Sequence, residues 1–140
     1  MTENIKLAYA IAYVAHKNQY DKVGVPYINH PLTVSNNIET EDEKIVGLLH
    51  DVVEDTAVTL DDLRLFFDKH IIEAIDLLTH KEEDSYMDYL AKIKTNPLAL
   101  KVKLADLNHN MDMSRFENPT KRDYERLEKK YKPAYEFLTK

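Results

Sequence analysis

The run from residue 47 to residue 56, GLLHDVVEDT, places two pairs of reactive side chains in an otherwise apolar stretch. His50 and Asp51 form a pair suited to binding a metal ion, and Glu54 and Asp55 form a pair suited to acid–base chemistry. Removing such groups from water among apolar neighbours is unfavourable unless a cation or another partner compensates them. We therefore interpret this run as part of a functional site rather than as packing.

Three residues elsewhere in the chain strengthen that interpretation. His30 follows a loop, and Asp106 lies among Leu and Val residues, so we expect the Asp106 carboxylate to be at least partly buried. Asn110 comes four residues after Asp106 and should share a helix face with it. Two histidines and two aspartates form a nitrogen–oxygen ligand set, which suits manganese, iron, zinc or another first-row ion better than calcium.

The chemistry expected of such a site is hydrolysis. A bound metal with open positions lowers the pKa of a water molecule and supplies a nucleophile at neutral pH. Glu54 or Asp55 would then take a proton from that water or deliver one to the leaving group. Hydrolysis of a phosphoryl or pyrophosphoryl bond is the reaction class that this combination favours.

The elements that must position these residues are predicted to be helical. Only two glycines and five prolines occur in the chain, and no segment alternates with a period of two, so we expect no sheet. Gly47 inside a helix favours close packing against a neighbouring helix. Gly24 and Pro26 mark a loop, and Pro133 should kink or interrupt the last helix. Helical spacing and capping residues predict helices over residues 3–19, from about 31, 41–53, 59–67, 69–79, 84–94, 97 to about 112, and from 120 onward.

Composition narrows the classes of function. The chain has 140 residues, which predicts a single domain over residues 1–140. Cysteine is absent, which excludes disulfides and thiolate metal ligands and fits a cytoplasmic location. We expect no secretory signal and no membrane span. A net charge of −6 argues against a nucleic-acid polymer as partner but leaves room for a small anionic substrate. The oligomeric state stays open.

Four motifs in order carry a resemblance to a known family. They are HKNQ at 16–19, GVPYINHP at 24–31, LLHDVVEDT at 48–56, and KLAD at 103–106 with Asn110 four residues later. With this order and spacing, over residues 8 to about 113, the chain resembles the HD-domain hydrolases of the RelA/SpoT type, the small alarmone hydrolases.

The resemblance implies a fold, a metal and a reaction. The fold would be an all-α HD-domain helical bundle with a mononuclear metal site, usually occupied by Mn²⁺. The reaction would be removal of the 3′-pyrophosphate from guanosine 3′,5′-bis(diphosphate) or its pentaphosphate relative. Glu54 and Asp55 would be the catalytic pair, and Lys22 and Asn110 would contact the substrate. The implied metal ligands are His30, His50, Asp51 and Asp106.

Three positions depart from the family pattern. Asp21 stands where the family usually has an arginine that packs on the guanine base, and it replaces a planar cation by an anion. Leu107 and Asp112 stand where the family often has basic residues. These differences concern base selectivity rather than metal chemistry. Three basic residues could compensate: Arg115, Lys101 and Lys103.

Two other functions therefore remain open. One is hydrolysis of another nucleotide, such as an adenine nucleotide or a dinucleotide phosphate, because the Asp21 carboxylate could accept a hydrogen bond from a base amino group. The other is an antitoxin-like role beside an alarmone synthetase, which at this length would be a separate chain.

The remaining histidines are interpreted individually. His16 should pack or form a hydrogen bond behind the loop, and His70 and His80 should lie at the surface. His109 is a candidate for contact with the substrate or with a metal ligand.

Overall fold

The structure, a computed structural model, describes all residues from 1 to 140 and is helical throughout. It has no strand, and its one β-bridge joins Tyr20 to Pro26 across a loop. The predicted all-helical class is confirmed. The α-helices are α1 Glu3–Ala15, α2 Asn29–Asn36, α3 Glu41–Leu49, α4 Val52–Asp55, α5 Leu60–Arg64, α6 Lys69–Leu78, α7 Tyr86–Lys94, α8 Pro97–Met111, α9 Lys121–Arg126 and α10 Lys132–Thr139.

Helix starts follow the capping signals of the sequence. Thr59 accepts a hydrogen bond from the backbone N–H of Asp62 and opens α5, and Asn96 accepts one from Ala99 and opens α8. At α3, the side chain of Thr40 caps the N–H of Glu43, whose carboxylate in turn accepts from the N–H of Thr40. Local side-chain hydrogen bonds therefore fix where these helices begin.

The prediction of one continuous helix over residues 41–53 is wrong. α3 ends at Leu49, and α4 begins at Val52. Between them, Nδ1 of His50 lies 2.6 Å from the carbonyl oxygen of Gly47, so the imidazole caps an acceptor at the helix end. The break places His50 and Asp51 between two helices, where both side chains can turn towards the same point.

Two other helices are shorter than predicted, whereas the change near Pro133 agrees with the prediction. The first helix ends at Ala15 rather than at residue 19, and Asn18 adopts a left-handed φ of 69° just beyond it. The fifth helix is shorter than the predicted 59–67. The expected interruption near Pro133 is present: a π-helical turn, Leu127–Tyr131, separates α9 from α10 and places Pro133 in the first turn of α10.

The core is one cluster of 26 buried apolar residues. α8 packs against α2, α3, α6, α7 and α10, so the longest helix lies at the centre of the fold. With 15 residues, α8 is too short to cross a bilayer, and no other helix has the length and apolar character that this would require. α8 is thus positioned to present side chains to several other helices at once.

Gly47 is the point of closest approach between α2 and α3. A Cβ atom at residue 47 would lie 3.2 Å from the Cα of Ser35 and 3.1 Å from Cδ1 of Ile38. Ile38 could shift its side chain, but the Ser35 backbone belongs to α2, which carries His30. The predicted packing role of Gly47 agrees with this geometry.

Replacing Gly47 by leucine should therefore destabilise the protein. The added side chain must push α2 away from α3, and overpacking of this kind costs about 1–3 kcal/mol in free energy of unfolding. Urea denaturation measures the change, and Lys101→Leu, at an exposed position of α8, provides the control. Equal stability of Gly47→Leu and the control would contradict the close approach.

Candidate metal centre

Three buried side chains from distant parts of the chain meet at one point. His30 comes from α2, His50 from the end of α3, and Asp106 from α8, and their ligand atoms all lie within 4.8 Å of one another. Nε2 of His30 is 2.7 Å from Oδ1 of Asp106, and Nε2 of His50 is 3.4 Å from the same oxygen. The cluster therefore presents two imidazole nitrogens and a carboxylate to a shared space.

Asp51 lies beside this cluster. Its Oδ2 atom is 3.1 Å from Nε2 of His50 and 3.8 Å from Nε2 of His30. The hydroxyl of Tyr27 donates a hydrogen bond of 2.5 Å to the same oxygen and so fixes the direction of the carboxylate. The structure thus brings together all four residues that were predicted as ligands, and Tyr27 is a neighbour that the sequence did not single out.

The hydrogen bonds of His50 test whether a metal ion fits. Nδ1 of His50 faces a backbone carbonyl, which can only accept, so Nδ1 carries the proton. Nε2 then carries a lone pair, and this buried atom has no hydrogen-bond partner in the structure. A buried acceptor without a donor is unfavourable, and a divalent cation would satisfy it. The ligand set also matches the nitrogen–oxygen preference of first-row ions.

The charges of the cluster support the same conclusion. Burial would raise the pKa of Asp51, but without a metal ion His50 carries a positive charge whose attraction outweighs burial and lowers that pKa to about 2. A bound cation would take the place of the proton on Nε2 of His50. Burial opposes ionisation of Asp106 as well, yet Lys103 and the two histidines hold its pKa well below the usual value. Both carboxylates are therefore ionised at neutral pH, as ligation of a cation requires.

Asp106 is held by several partners. Lys103, one helical turn earlier, donates to Oδ2 at 3.0 Å, and Asn110, one turn later, donates to Oδ1 at 3.3 Å. The expected burial of Asp106 is confirmed, since only 5% of the residue is exposed. Asn110 shares the helix face of Asp106, as predicted, so α8 supplies a candidate ligand together with two residues that orient it.

Glu54 and Asp55 lie on α4, at the edge of the same cleft. One carboxylate oxygen of Glu54 accepts a hydrogen bond of 2.7 Å from the backbone N–H of His80. Burial, followed by the carboxylates of Asp51 and Glu54, raises the pKa of Asp55 to about 6. The two predicted catalytic residues are thus adjacent to the cluster, and the pKa of Asp55 is close to neutral.

The cleft has a volume of about 440 Å³, large enough for a small molecule. Besides the acidic cluster, four basic residues line it, and we call them its basic side: Lys22, Arg115, Arg126 and Lys130. Two of them face carboxylates of the same cleft, Arg115 facing Asp21 and Arg126 facing Asp123. Burial lowers the pKa of Lys22, and the positive charge of Arg126 lowers it further, so these two cations lie near each other. The predicted substrate residues Lys22 and Asn110 both line this cleft. The basic side suits an anionic ligand despite the negative net charge of the chain.

The structure shows where the three residues that depart from the family pattern lie. Oδ1 of Asp21 accepts hydrogen bonds from the N–H groups of Val23 and Val25, and Oδ2 lies 4.0 Å from the guanidinium of Arg115. Leu107 is buried in the core, with 1% exposed, and therefore does not face the cleft.

Asp112 ends α8 and accepts hydrogen bonds from Ser114. Among the three basic residues considered as compensation, Arg115 and Lys103 line the cleft, whereas Lys101 is exposed on another face.

The other histidines behave differently from one another. His16 is 2% exposed and forms a hydrogen bond of 2.9 Å with Gln19, as expected for a residue behind the loop. His70 is exposed and pairs with Asp42, as predicted. His80 is exposed too, but it lines the cleft, which the sequence did not indicate. His109 is buried and lies against His30.

Several known proteins are similar to this chain in sequence. A GTP pyrophosphokinase of Streptomyces coelicolor is 33% identical over 147 aligned positions, which cover 96% of this chain and 16% of that protein. The bifunctional (p)ppGpp synthase/hydrolase SpoT of Escherichia coli K12 is 30% identical over 125 positions, covering 78% of this chain and 18% of SpoT. A probable guanosine-3′,5′-bis(diphosphate) 3′-pyrophosphohydrolase of Synechocystis is 33% identical over 120 positions, covering 74% of this chain and 16% of that protein.

The chain thus spans about a sixth of the length of these relatives. No protein-family model matches the chain. A solved structure, described as a metazoan ortholog of SpoT that hydrolyzes ppGpp, superposes with a TM-score of 0.79 at 23% identity and covers 99% of this chain and 86% of that one. This similarity shows that the two chains share a fold.

The raised pKa of Asp55 predicts a pH-dependent effect of Asp55→Asn on stability. An acid with a pKa near 6 in the folded state and 3.8 as its reference value holds its proton more tightly when folded. Ionisation of Asp55 therefore lowers stability as pH rises through this interval. Without metal, Asp55→Asn should raise the melting temperature at about pH 7, and the gain should disappear near pH 4.

Thermal unfolding in the presence of a chelator measures this difference. Asp68→Asn is the matched control, because Asp68 is exposed and its side chain makes no capping hydrogen bond. A gain that stays the same at both pH values would show that the Asp55 carboxylate is not perturbed.

Proposed function

Because this chain belongs to the RelA/SpoT-type HD-domain family, we propose that it is a metal-dependent phosphohydrolase. Its proposed reaction is removal of the 3′-pyrophosphate from guanosine 3′,5′-bis(diphosphate) or the corresponding pentaphosphate. The observation that carries this proposal is the convergence of His30, His50, Asp51 and Asp106 at a cleft that basic residues also line.

The four converging residues are the proposed ligands of one divalent ion, with manganese as the first candidate. The ion would supply Lewis acidity and lower the pKa of a water molecule. The chain contributes the orientation of the ligands. The carbonyl of Gly47 directs Nε2 of His50 towards the site, and the hydroxyl of Tyr27 directs Oδ2 of Asp51.

Glu54 and Asp55 are the proposed acid–base pair. With a pKa of about 6, Asp55 is mostly ionised at neutral pH and still basic enough to accept a proton from water. Asp55 would then pass that proton to the 3′-oxygen of the leaving nucleotide, which balances the hydrolysis. Glu54 is held at one carboxylate oxygen by the N–H of His80, and its other oxygen would accept a hydrogen bond from the attacking water.

The basic side of the cleft is the proposed binding site for the rest of the nucleotide. Lys22 and Arg115 stand near the loop that follows α1, and Arg126 and Lys130 come from the last third of the chain. Cations in a partly enclosed cleft attract phosphate groups more strongly than the same cations in water. Asn110 already donates to Asp106, and we assign to its amide a further contact with the sugar.

The alternative of an adenine nucleotide is not favoured. It depended on the Asp21 carboxylate accepting a hydrogen bond from a base amino group. In the structure, Oδ1 of Asp21 already accepts two backbone N–H groups, and Oδ2 faces Arg115. The carboxylate is therefore engaged with its own loop. An antitoxin-like role beside a separate synthetase would use the same hydrolytic site, and no feature of the site favours it over simple turnover.

Turnover of a nucleotide panel tests the proposed function. With Mn²⁺ present, the protein should release pyrophosphate from guanosine 3′,5′-bis(diphosphate) faster than from GTP, ATP or a dinucleotide phosphate. His50→Ala and Asp51→Ala should each lower the rate about a hundredfold or more, because each removes a proposed ligand. His70→Ala, at an exposed position, should not change it. Absence of pyrophosphate release by the metal-loaded protein would refute the proposal.

A separate prediction concerns the basic side of the cleft. Lys22→Ala should raise KM about tenfold, equivalent to about 1.4 kcal/mol, because a charge-assisted contact with phosphate is lost. The value of kcat should change little, since Lys22 is not among the proposed ligands or proton carriers. Lys101→Ala removes a lysine of the same type outside the cleft and should leave both constants unchanged. A fall in kcat with constant KM would place Lys22 in the chemical step instead.

A further inference from the structure

His30 differs from His50 in how its second ring nitrogen is held. Nδ1 of His50 faces a backbone carbonyl, so only one tautomer is compatible with the hydrogen bond. Nδ1 of His30 lies 2.6 Å from Nδ1 of His109 instead. A neutral imidazole nitrogen can either donate or accept, so this contact alone does not fix which nitrogen of His30 carries the proton.

The two rings are arranged for a hydrogen bond between their edges. Their centroids are 4.9 Å apart, and their planes differ by only 19°. With the two Nδ1 atoms much closer than the centroids, the rings lie side by side and nearly coplanar rather than face to face. In this arrangement one Nδ1 carries a proton and the other supplies the lone pair.

The other ring nitrogen of His30, Nε2, determines which of the two histidines must donate the hydrogen bond. Nε2 of His30 faces the centre of the cluster, 2.7 Å from Oδ1 of Asp106 and 3.8 Å from Oδ2 of Asp51. To bind a cation, Nε2 must present a lone pair, so the proton must lie on Nδ1. His109 then has to accept through its own Nδ1.

We propose that His109 is a positioning residue, which accepts a hydrogen bond from Nδ1 of His30 and thereby holds His30 in the tautomer that binds metal through Nε2. His109 does not touch the ion in this arrangement. This inference rests on the metal site of the proposed function and does not depend on the identity of the substrate.

The location of His109 on α8 supports this role. Asp106, His109 and Asn110 are spaced by three and four residues, so they share one face of the helix. That face therefore carries a proposed ligand and the residue that orients a second ligand on α2. Only 8% of His109 is exposed, so water does not readily replace it as the acceptor for His30.

Two variants of His109 with side chains of similar shape distinguish the effect of the hydrogen bond on metal binding from the effect of packing. An asparagine at this position would keep an acceptor close to the place of Nδ1, whereas leucine has a similar branched shape and no acceptor. The variants are therefore His109→Asn and His109→Leu. Calorimetric titration with Mn²⁺ measures the affinity of each, and thermal unfolding in chelator confirms that each folds.

His109→Leu should weaken Mn²⁺ binding by about 10- to 100-fold, the usual effect of losing a partner of a ligand histidine. His109→Asn should stay within about threefold of the wild-type protein, because the acceptor is retained. Nitrogen-15 spectra of the Zn²⁺-loaded protein should show the proton of His30 on Nδ1 in both the wild type and His109→Asn.

Three results would overturn the inference. One is wild-type Mn²⁺ affinity in His109→Leu. Another is equal weakening in both variants, which would indicate that the imidazole only fills space. The third is a His30 proton on Nε2 in the metal-loaded wild type. Failure of the wild-type protein to bind Mn²⁺ at all would instead refute the metal site of the proposed function as well. Absence of nucleotide turnover with normal Mn²⁺ binding would leave this inference intact.

Discussion

The buried carboxylate of Asp106 is the constraint on which the arrangement of the site depends. An ionised carboxylate inside a protein is stable only when cations and hydrogen-bond donors surround it. Here Lys103 and Asn110 donate from its own helix, and Nε2 of His30 faces the same carboxylate from α2, across the place proposed for the metal ion. Each of these partners lies on a helix that also contributes to the core. The packing of the helices therefore sets the distances between the residues of the site.

The break between α3 and α4 is the second feature that shapes the site, because His50 and Asp51 lie at it. In a continuous helix, His50 and Asp51 would point about 100° apart. With α3 ending at Leu49 and α4 beginning at Val52, both residues lie between two helices, and Nε2 of His50 is 3.1 Å from Oδ2 of Asp51. The imidazole itself helps to end the helix, because its Nδ1–H caps the carbonyl of Gly47. A residue of the site thus determines the local structure that presents it.

Much of this organisation could be predicted from the sequence, because it follows from local patterns. Thr59 and Asn96 open helices through hydrogen bonds within three residues, and helical spacing alone places Asn110 beside Asp106. Contacts between residues far apart in the chain were predicted less well. His109 was only a candidate for contact with the substrate or a metal ligand, and the structure places it against His30, 79 residues away. The contact of Tyr27 with Asp51, across 24 residues, was not predicted. No local pattern encodes such contacts, which depend on how the helices pack.

The Asp21 loop has a consequence for the energetics of binding. The side chain of Asp21 accepts two N–H groups of the loop, and the bridge between Tyr20 and Pro26 closes it at its base. Lys22 is therefore carried by a segment that is already ordered when folding is complete. A ligand that meets a preorganised loop loses less conformational entropy on binding than one that must order it. Asp21 would thus contribute to binding through the rigidity of the surface that receives the ligand.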